Sequence, residues 1–295
     1  MPLLKQDYFL EQPYSYCSYL GRIQAPHNSS FSTDKYGFRT AIYNQRVLDL
    51  KYFNIQTDRQ RIFIAGNSVP FGVSVLDDAS VIHNLINNTS ELISYNLSMR
   101  ASTMFQDFIC LSRCIQDKNT KIVWIAGLND LISIFLGDYS HPLFPPWFGE
   151  HNLSCNTWQK TNLELDVKTK FQLLVDSINQ LILRISMSNQ LIFVWQPLWS
   201  LRKSTLAKEE ARNISQFFDT YSGKLGKLYK SKQLRSAYFN LIDKVESSFK
   251  KSQDKSILFV NSNEILPENT LNDVTHLNEN GHASIATLAY NLLKE

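Results

Sequence analysis

Cysteine is scarce in this chain of 295 residues. There are four (Cys17, Cys110, Cys114 and Cys155), and no pair has metal-ligand spacing. That excludes a disulfide framework and a zinc-finger pattern. Cys110 and Cys114 stand one helical turn apart and read as packing residues. An excess of either charge is also missing. Thirty Lys and Arg face 27 Asp and Glu, for a net charge of +3, so charge alone implies no nucleic-acid partner and no membrane-surface partner. The densest basic stretch, Lys224, Lys227, Lys230, Lys232 and Arg235, reads as a solvated face. Long apolar runs are lacking as well. The first residues carry no run of signal-peptide length, and the best internal stretch, 122–135, is broken by Asn129 and Asp130. The expected compartment is therefore the cytoplasm, with no integral membrane segment. No repeat and no low-complexity tract occurs.

What is present is enough apolar residue, 43% of the chain, to bury a large core. Residues 1–60, rich in Tyr and Phe and broken by Pro13, Pro26, Asn28 and Gly37, read as an irregular extension packed on the main body, with a β-ribbon around 46–53. From residue 61 the pattern alternates. Short apolar runs at 61–65, 92–97, 121–126, 191–195 and 257–260 predict buried strands. Between them, helices are predicted at 78–87, along the stripe Met104, Phe108, Leu111 and Ile115, and along Val167, Phe171, Leu174, Ile178, Leu181 and Ile185. A helical insertion fills about 200–250, striped by Leu234, Tyr238, Leu241, Val245 and Phe249, and a last helix covers 279–293. Continuous apolar strands alternating with helices predict an α/β/α sandwich around a mainly parallel five-stranded sheet, forming one domain over 61–295.

In such a sheet the ligand site lies beyond the carboxyl ends of the strands. Polar residues collect at those ends. Ser68 follows the first strand on a turn between Gly66 and Gly72, and reads either as a nucleophile awaiting a base or as a helix cap. Asn129, after the third strand, is either a donor to an oxyanion or an N-cap. The turn 96–101 after the second strand offers backbone N–H groups, and Arg100 there faces either substrate or solvent. In Asp273-Val274-Thr275-His276, the spacing of three lets a carboxylate reach one imidazole nitrogen on a turn and leaves the other for a serine. Alone, that pair also reads as a surface histidine beside a capping aspartate.

Taken together, these blocks resemble the SGNH hydrolases, the GDSL esterase/lipase family. Gly66-Asn67-Ser68 is similar to that family's Gly-Asp-Ser, with asparagine in place of aspartate. Gly127-Leu128-Asn129-Asp130 and Asp273-Val274-Thr275-His276, followed by Leu277-Asn278 and Gly281-His282, match its third and fifth blocks. The oxyanion glycine of its second block aligns with Ala101. The resemblance spans about residues 61–294. It implies a flavodoxin-like sheet and a triad of Ser68, His276 and Asp273. It further implies an oxyanion hole made of the Ser68 and Ala101 N–H groups and the Asn129 amide, with no metal and no cofactor. The α/β-hydrolase elbow Gly-x-Ser-x-Gly is not met, because position 70 is proline.

The implied reaction is hydrolysis of an acyl ester, acetyl among the candidates, of a carbohydrate, lipid or small metabolite. Two other readings stand beside it: an acyltransferase of polysaccharide or specialised-metabolite biosynthesis, and a non-catalytic binding module of the same fold. Aromatic residues of the loop 137–150, Trp147 among them, together with Trp195 and Trp199, are candidate walls of a substrate pocket, or simply packed rings.

Overall fold

The structure, a computed structural model, describes residues 14–17, 21–24, 31–55, 59–89, 91–100, 102–115, 120–136, 166–250 and 256–294, the first two segments as backbone only. Two antiparallel ribbons open the chain: β1 (Tyr14–Cys17) with β2 (Gly21–Gln24), and β3 (Ile42–Tyr43) with β4 (Arg46–Val47). The second turns through Asn44 and Gln45 at φ 49° and 61°, the two left-handed residues that a tight hairpin requires. The ribbon expected around 46–53 is thus displaced to 42–47. The residues after it form a helix, α1 (Leu50–Ile55), whose first turn is capped by Asp49 accepting from the Lys51 N–H at 2.8 Å. Leu50 with Phe53 fits a helix and Phe53 with Ile55 fits a strand, so this short segment fits either period, and the cap decides for helix.

The alternating body then runs β5 (Gln60–Gly66), α2 (Ser68–Phe71), α3 (Ile82–Asn87), β6 (Leu92–Asn96), α4 (Met104–Cys114), β7 (Lys121–Ala126), α5 (Leu128–Leu136), α6 (Val167–Ser186) and β8 (Gln190–Trp195). Three further helices, α7 (Lys208–Thr220), α8 (Lys224–Lys230) and α9 (Lys232–Lys250), precede β9 (Ile257–Asn261), α10 (Ser262–Ile265) and α11 (Glu279–Lys294). The sheet order is β6-β5-β7-β8-β9 and every pairing is parallel. After β5 the chain crosses to one side, and after β6 it returns to the other. The order therefore reverses between β5 and β7, which is where a parallel sheet opens a crevice above its carboxyl edge.

Both faces of the sheet are covered, which explains why its strands read as unbroken apolar runs. Phe63, Ala65, Ile122, Trp124, Leu191, Phe193 and Trp195 belong to one core with α4, α5, α6 and α9. The alternate residues Ile62, Ile64, Val123, Ile125, Ile192 and Val194 belong to a second core with α3 and α11. Nearly all are without exposure, and each such side chain contributes about 1.5–3 kcal/mol through burial. Phe38, Leu48 and Phe53 of the early segment pack into the first core, with Phe53 4.8 Å from Phe63 between ring centres. Among the described residues no helix is long and apolar enough to cross a membrane.

Candidate active site

Two glycines bring the backbone tight at the switch point. Gly66 ends β5 at φ +135°, and a Cβ there would lie 2.1 Å from the Ile125 carbonyl oxygen. Gly127 follows β7 at φ +103°, with the Trp195 ring filling the space a side chain would need. Only glycine satisfies both the torsion and the space. The chain turns sharply after each strand and starts a helix at once, so Ser68 and Asn129 occupy the first turns of α2 and α5 above the carboxyl edge.

The Asp273–His276 turn closes over the same edge. Asp273 is 1% exposed, and its Oδ1 accepts from the N–H groups of Thr275 and His276, both at 2.9 Å. Its Oδ2 stands 2.7 Å from His276 Nδ1. With one oxygen bound to backbone and the other to the ring, the imidazole is held with Nδ1 protonated and Nε2 as acceptor. Nε2 lies 2.8 Å from Ser68 Oγ. Ser68, Asn129 and His276 are each partly exposed inside segments whose neighbours are buried, so these three side chains open to the outside together.

Asn129 Nδ2 donates to the Ser102 carbonyl at 3.1 Å. Among the described residues its second amide hydrogen has no acceptor, and it is the one free to meet an anion. The turn holding Ser102 is braced from below. Ser102 Oγ stands 2.6 Å from Asp107 Oδ1, whose other oxygen accepts from Trp124 Nε1 at 3.1 Å, and the Met104 N–H donates to Asp130 at 3.1 Å. Burial pushes both carboxyl groups, Asp107 and Asp130, up to about 7.

The remaining expected residues fall as follows. Ala101 and Trp147, with the rest of the 137–150 loop, lie outside the described residues. Arg100 is buried, at 8% exposure, which removes its solvent-facing reading. Trp195 is wholly buried: its ring packs on Phe193 and Tyr238, and its Nε1 donates to Glu246 at 3.0 Å. It is a core residue and not the pocket wall expected, because its position in β8 points it into the first core. Trp199 is half-buried edge-on to Phe218, and its N–H donates to the Val274 carbonyl at 2.9 Å, tying it to the Asp273–His276 turn.

Three residues support the site: Glu210, which the sequence reading does not name, Gln196, which it places at the end of the fourth strand without a role, and Thr275, which it names only inside the Asp273–His276 motif. Glu210 is 1% exposed. Its Oε1 accepts from Arg202 at 2.7 Å and from the Thr270 and Leu271 N–H groups at 2.8 Å, and its Oε2 accepts from the Ala207 N–H at 2.8 Å. It anchors the segment that leads into Asp273. Gln196 and Thr275 are likewise buried and hydrogen-bonded at the site. Glu210 is three residues after Ala207, a capping spacing that sequence alone can flag; the reach to residues 270 and 271 is tertiary.

No family model and no curated protein matches this sequence. Solved structures do. The chain is similar to a member of the lipolytic protein G-D-S-L family from Veillonella parvula DSM 2008 (TM-score 0.45, 10% identity, 80% of this chain and 99% of that one). It is also similar to an extracellular lipase from Streptomyces rimosus (TM-score 0.43, 14% identity, 79% and 99%) and to an acetyl xylan esterase from the rumen bacterium Butyrivibrio proteoclasticus (TM-score 0.45, 10% identity, 81% and 65%). At these values the likeness carries no argument about chemistry, which rests on the residues themselves.

Proposed function

We propose that this protein is a serine hydrolase of acyl esters, with Ser68 as nucleophile, His276 as general base and Asp273 as the group that orients it. The observation that carries the reading is the pair of contacts on one imidazole: Nδ1 at 2.7 Å from a buried carboxylate and Nε2 at 2.8 Å from a partly exposed serine hydroxyl. A serine hydroxyl is a poor nucleophile unless its proton has a destination, and Nε2 is that destination. As the proton moves to Nε2, Ser68 Oγ bonds to the ester carbonyl carbon and the carbonyl electron pair moves onto oxygen. Collapse expels the alcohol, which takes the proton from Nε2 and leaves an acyl-serine. Water repeats the two steps and frees the acid.

The developing oxyanion needs donors already in place. The free amide hydrogen of Asn129 is one, and the N–H groups of Ser68 and Ala101 are the proposed others. No step requires a metal or cofactor. The test is turnover of a short p-nitrophenyl ester by wild type, Ser68→Ala and His276→Ala. Loss of nearly all turnover in both variants supports the assignment, whereas undiminished turnover in either defeats it.

A further inference from the structure

The proposed nucleophile and base come from opposite ends of the chain, and one buried line of side chains connects them. Asn67, immediately before Ser68, donates from Nδ2 to Gln196 Oε1 at 2.5 Å. Gln196 donates from Nε2 to Thr275 Oγ1 at 3.0 Å, and Thr275, immediately before His276, donates from Oγ1 to the Pro197 carbonyl at 2.8 Å. The three residues are 1%, 0% and 3% exposed. Gln196 is itself fixed by its backbone: its N–H donates to the Ala126 carbonyl at 3.1 Å and its carbonyl accepts from Tyr238 at 2.8 Å.

We propose that Asn67, Gln196 and Thr275 are positioning residues that set the placement of Ser68 against His276. This rests on the reading under Proposed function.

The direction of every bond in the chain is forced. The Val69 N–H donates to Asn67 Oδ1 at 3.2 Å, so Asn67 turns its NH₂ toward Gln196. Gln196 must then offer its oxygen to Asn67 and its NH₂ to Thr275. The Thr275 hydroxyl, already accepting, sends its hydrogen to Pro197. Amide and hydroxyl groups shut away from water have no substitute partners, so the chain holds one polarity. It also gives position 67 a reason to be asparagine. An aspartate there would set a carboxylate against Gln196 Oε1. Gln196 would have to flip, and Thr275 would have to abandon Pro197 and turn its hydroxyl toward Gln196. The polarity would reverse beside both Ser68 and His276.

A misplacement of the reacting groups by about 1 Å is enough to slow acylation about 100-fold, and a smaller one correspondingly less. The experiment measures the rate constant for labelling of Ser68 by a fluorophosphonate in full-length wild type, Asn67→Asp, Gln196→Met, Thr275→Val and Thr275→Ser, with melting curves for each. The expected result is a fall of about tenfold or more for Asn67→Asp, Gln196→Met and Thr275→Val, with Thr275→Ser, which keeps the hydroxyl, within about twofold of wild type. Asn67→Asp combined with Thr275→Val should be slowed little beyond either alone, because one chain is broken once. Where Gln196→Met fails to fold, the serine and valine variants at 275 read the same chain. Equal rates for those two variants, or slowing factors that multiply in the double variant, would overturn the proposal. Nitrogen-15 shifts of the His276 ring read the hydrogen bond that Nε2 accepts from Ser68 without turnover: Thr275→Ser should match wild type and Thr275→Val should not, and identical Nε2 shifts in both contradict the chain. Failure of wild type to label at Ser68 speaks instead against the nucleophile.

Discussion

His276 Nε2 lies 2.8 Å from Ser68 Oγ although 208 positions separate them in sequence. The parallel sheet makes this meeting, because β5 delivers one residue to the carboxyl edge and the turn after α10 delivers the other to the same edge. Each residue alone has an ordinary structural explanation, and the contact is what links them.

Asp273→Asn is expected to lower kcat by about 10⁴-fold, the loss typical of a triad aspartate. The reason is visible in the bonding. Oδ1 is committed to the Thr275 and His276 N–H groups, so an asparagine must keep its oxygen there and turn its NH₂ toward Nδ1. The ring then carries its proton on Nε2, where it cannot accept from Ser68. Steady-state kinetics on a p-nitrophenyl ester check this, with an unchanged melting curve as the control.

Asn129→Ala should cost about 10²- to 10³-fold in kcat with KM little changed, since in the proposed mechanism the amide acts on charge that appears only in the transition state. Asn129→Asp should be worse than alanine, because a carboxylate repels the oxyanion. Equal kcat in wild type and Asn129→Ala would remove this residue from the mechanism.

Gly66→Ala should destabilise the fold by about 3 kcal/mol or more, from a left-handed torsion and a backbone clash combined. The added Cβ meets the Ile125 carbonyl at 2.1 Å, and a main-chain atom cannot swing aside as a side chain does. Urea unfolding measures the loss. A cost below 1 kcal/mol, a figure of about the size of an ordinary surface change, would contradict the packing described here.

Acid sensitivity has a specific source. His282 is buried with neither ring nitrogen hydrogen-bonded among the described residues, and burial pulls its pKa from 6.5 to about 3. The unfolded chain therefore binds more protons than the folded one between those values, and stability rises with pH across that window. Buried His83, also drawn down to about 3 by burial, acts the same way. Asp107 and Asp130 oppose them: burial raises both to about 7, so the folded state holds the extra protons and stability falls as pH climbs from about 4 to 7. Between about pH 4 and 6.5 the two pairs nearly cancel, and below about pH 4 only the histidine loss continues, as an acid limb. His282→Leu should flatten that limb, gaining about 3 kcal/mol at pH 4 relative to its effect at pH 7. Urea melts at the two pH values check it, and an equal effect at both would show that His282 is not the acid-labile group.

Much of the fold was legible because both faces of the sheet are buried, so strands such as Lys121–Ala126 appear as continuous apolar runs bounded by turns. Long helices such as Val167–Ser186 show their period plainly. Short elements were less legible. Leu50–Ile55 fits either period, and Leu128–Leu136 hides in an apolar stretch that continues straight on from β7. At the site, the local spacing of Asp273 and His276 was readable, as was the turn chemistry around Ser68. The buried supports were not. The carboxylate of Glu210 spans 60 residues to Thr270, and the amide of Gln196 spans 79 to Thr275. Neither has a local pattern, since such contacts follow from packing and not from periodicity. Trp195 differs for another reason: its place at a strand end suggests exposure, while the alternation Leu191, Phe193, Trp195 within β8 turns it into the first core.

Activation of Ser68 by His276 is tested most directly by mass spectrometry of the protein after brief exposure to a fluorophosphonate at neutral pH. One covalent adduct per chain is expected, located on Ser68, and almost none in His276→Ala. A wild-type protein that stays unmodified, or an adduct that forms equally fast without His276, would contradict it.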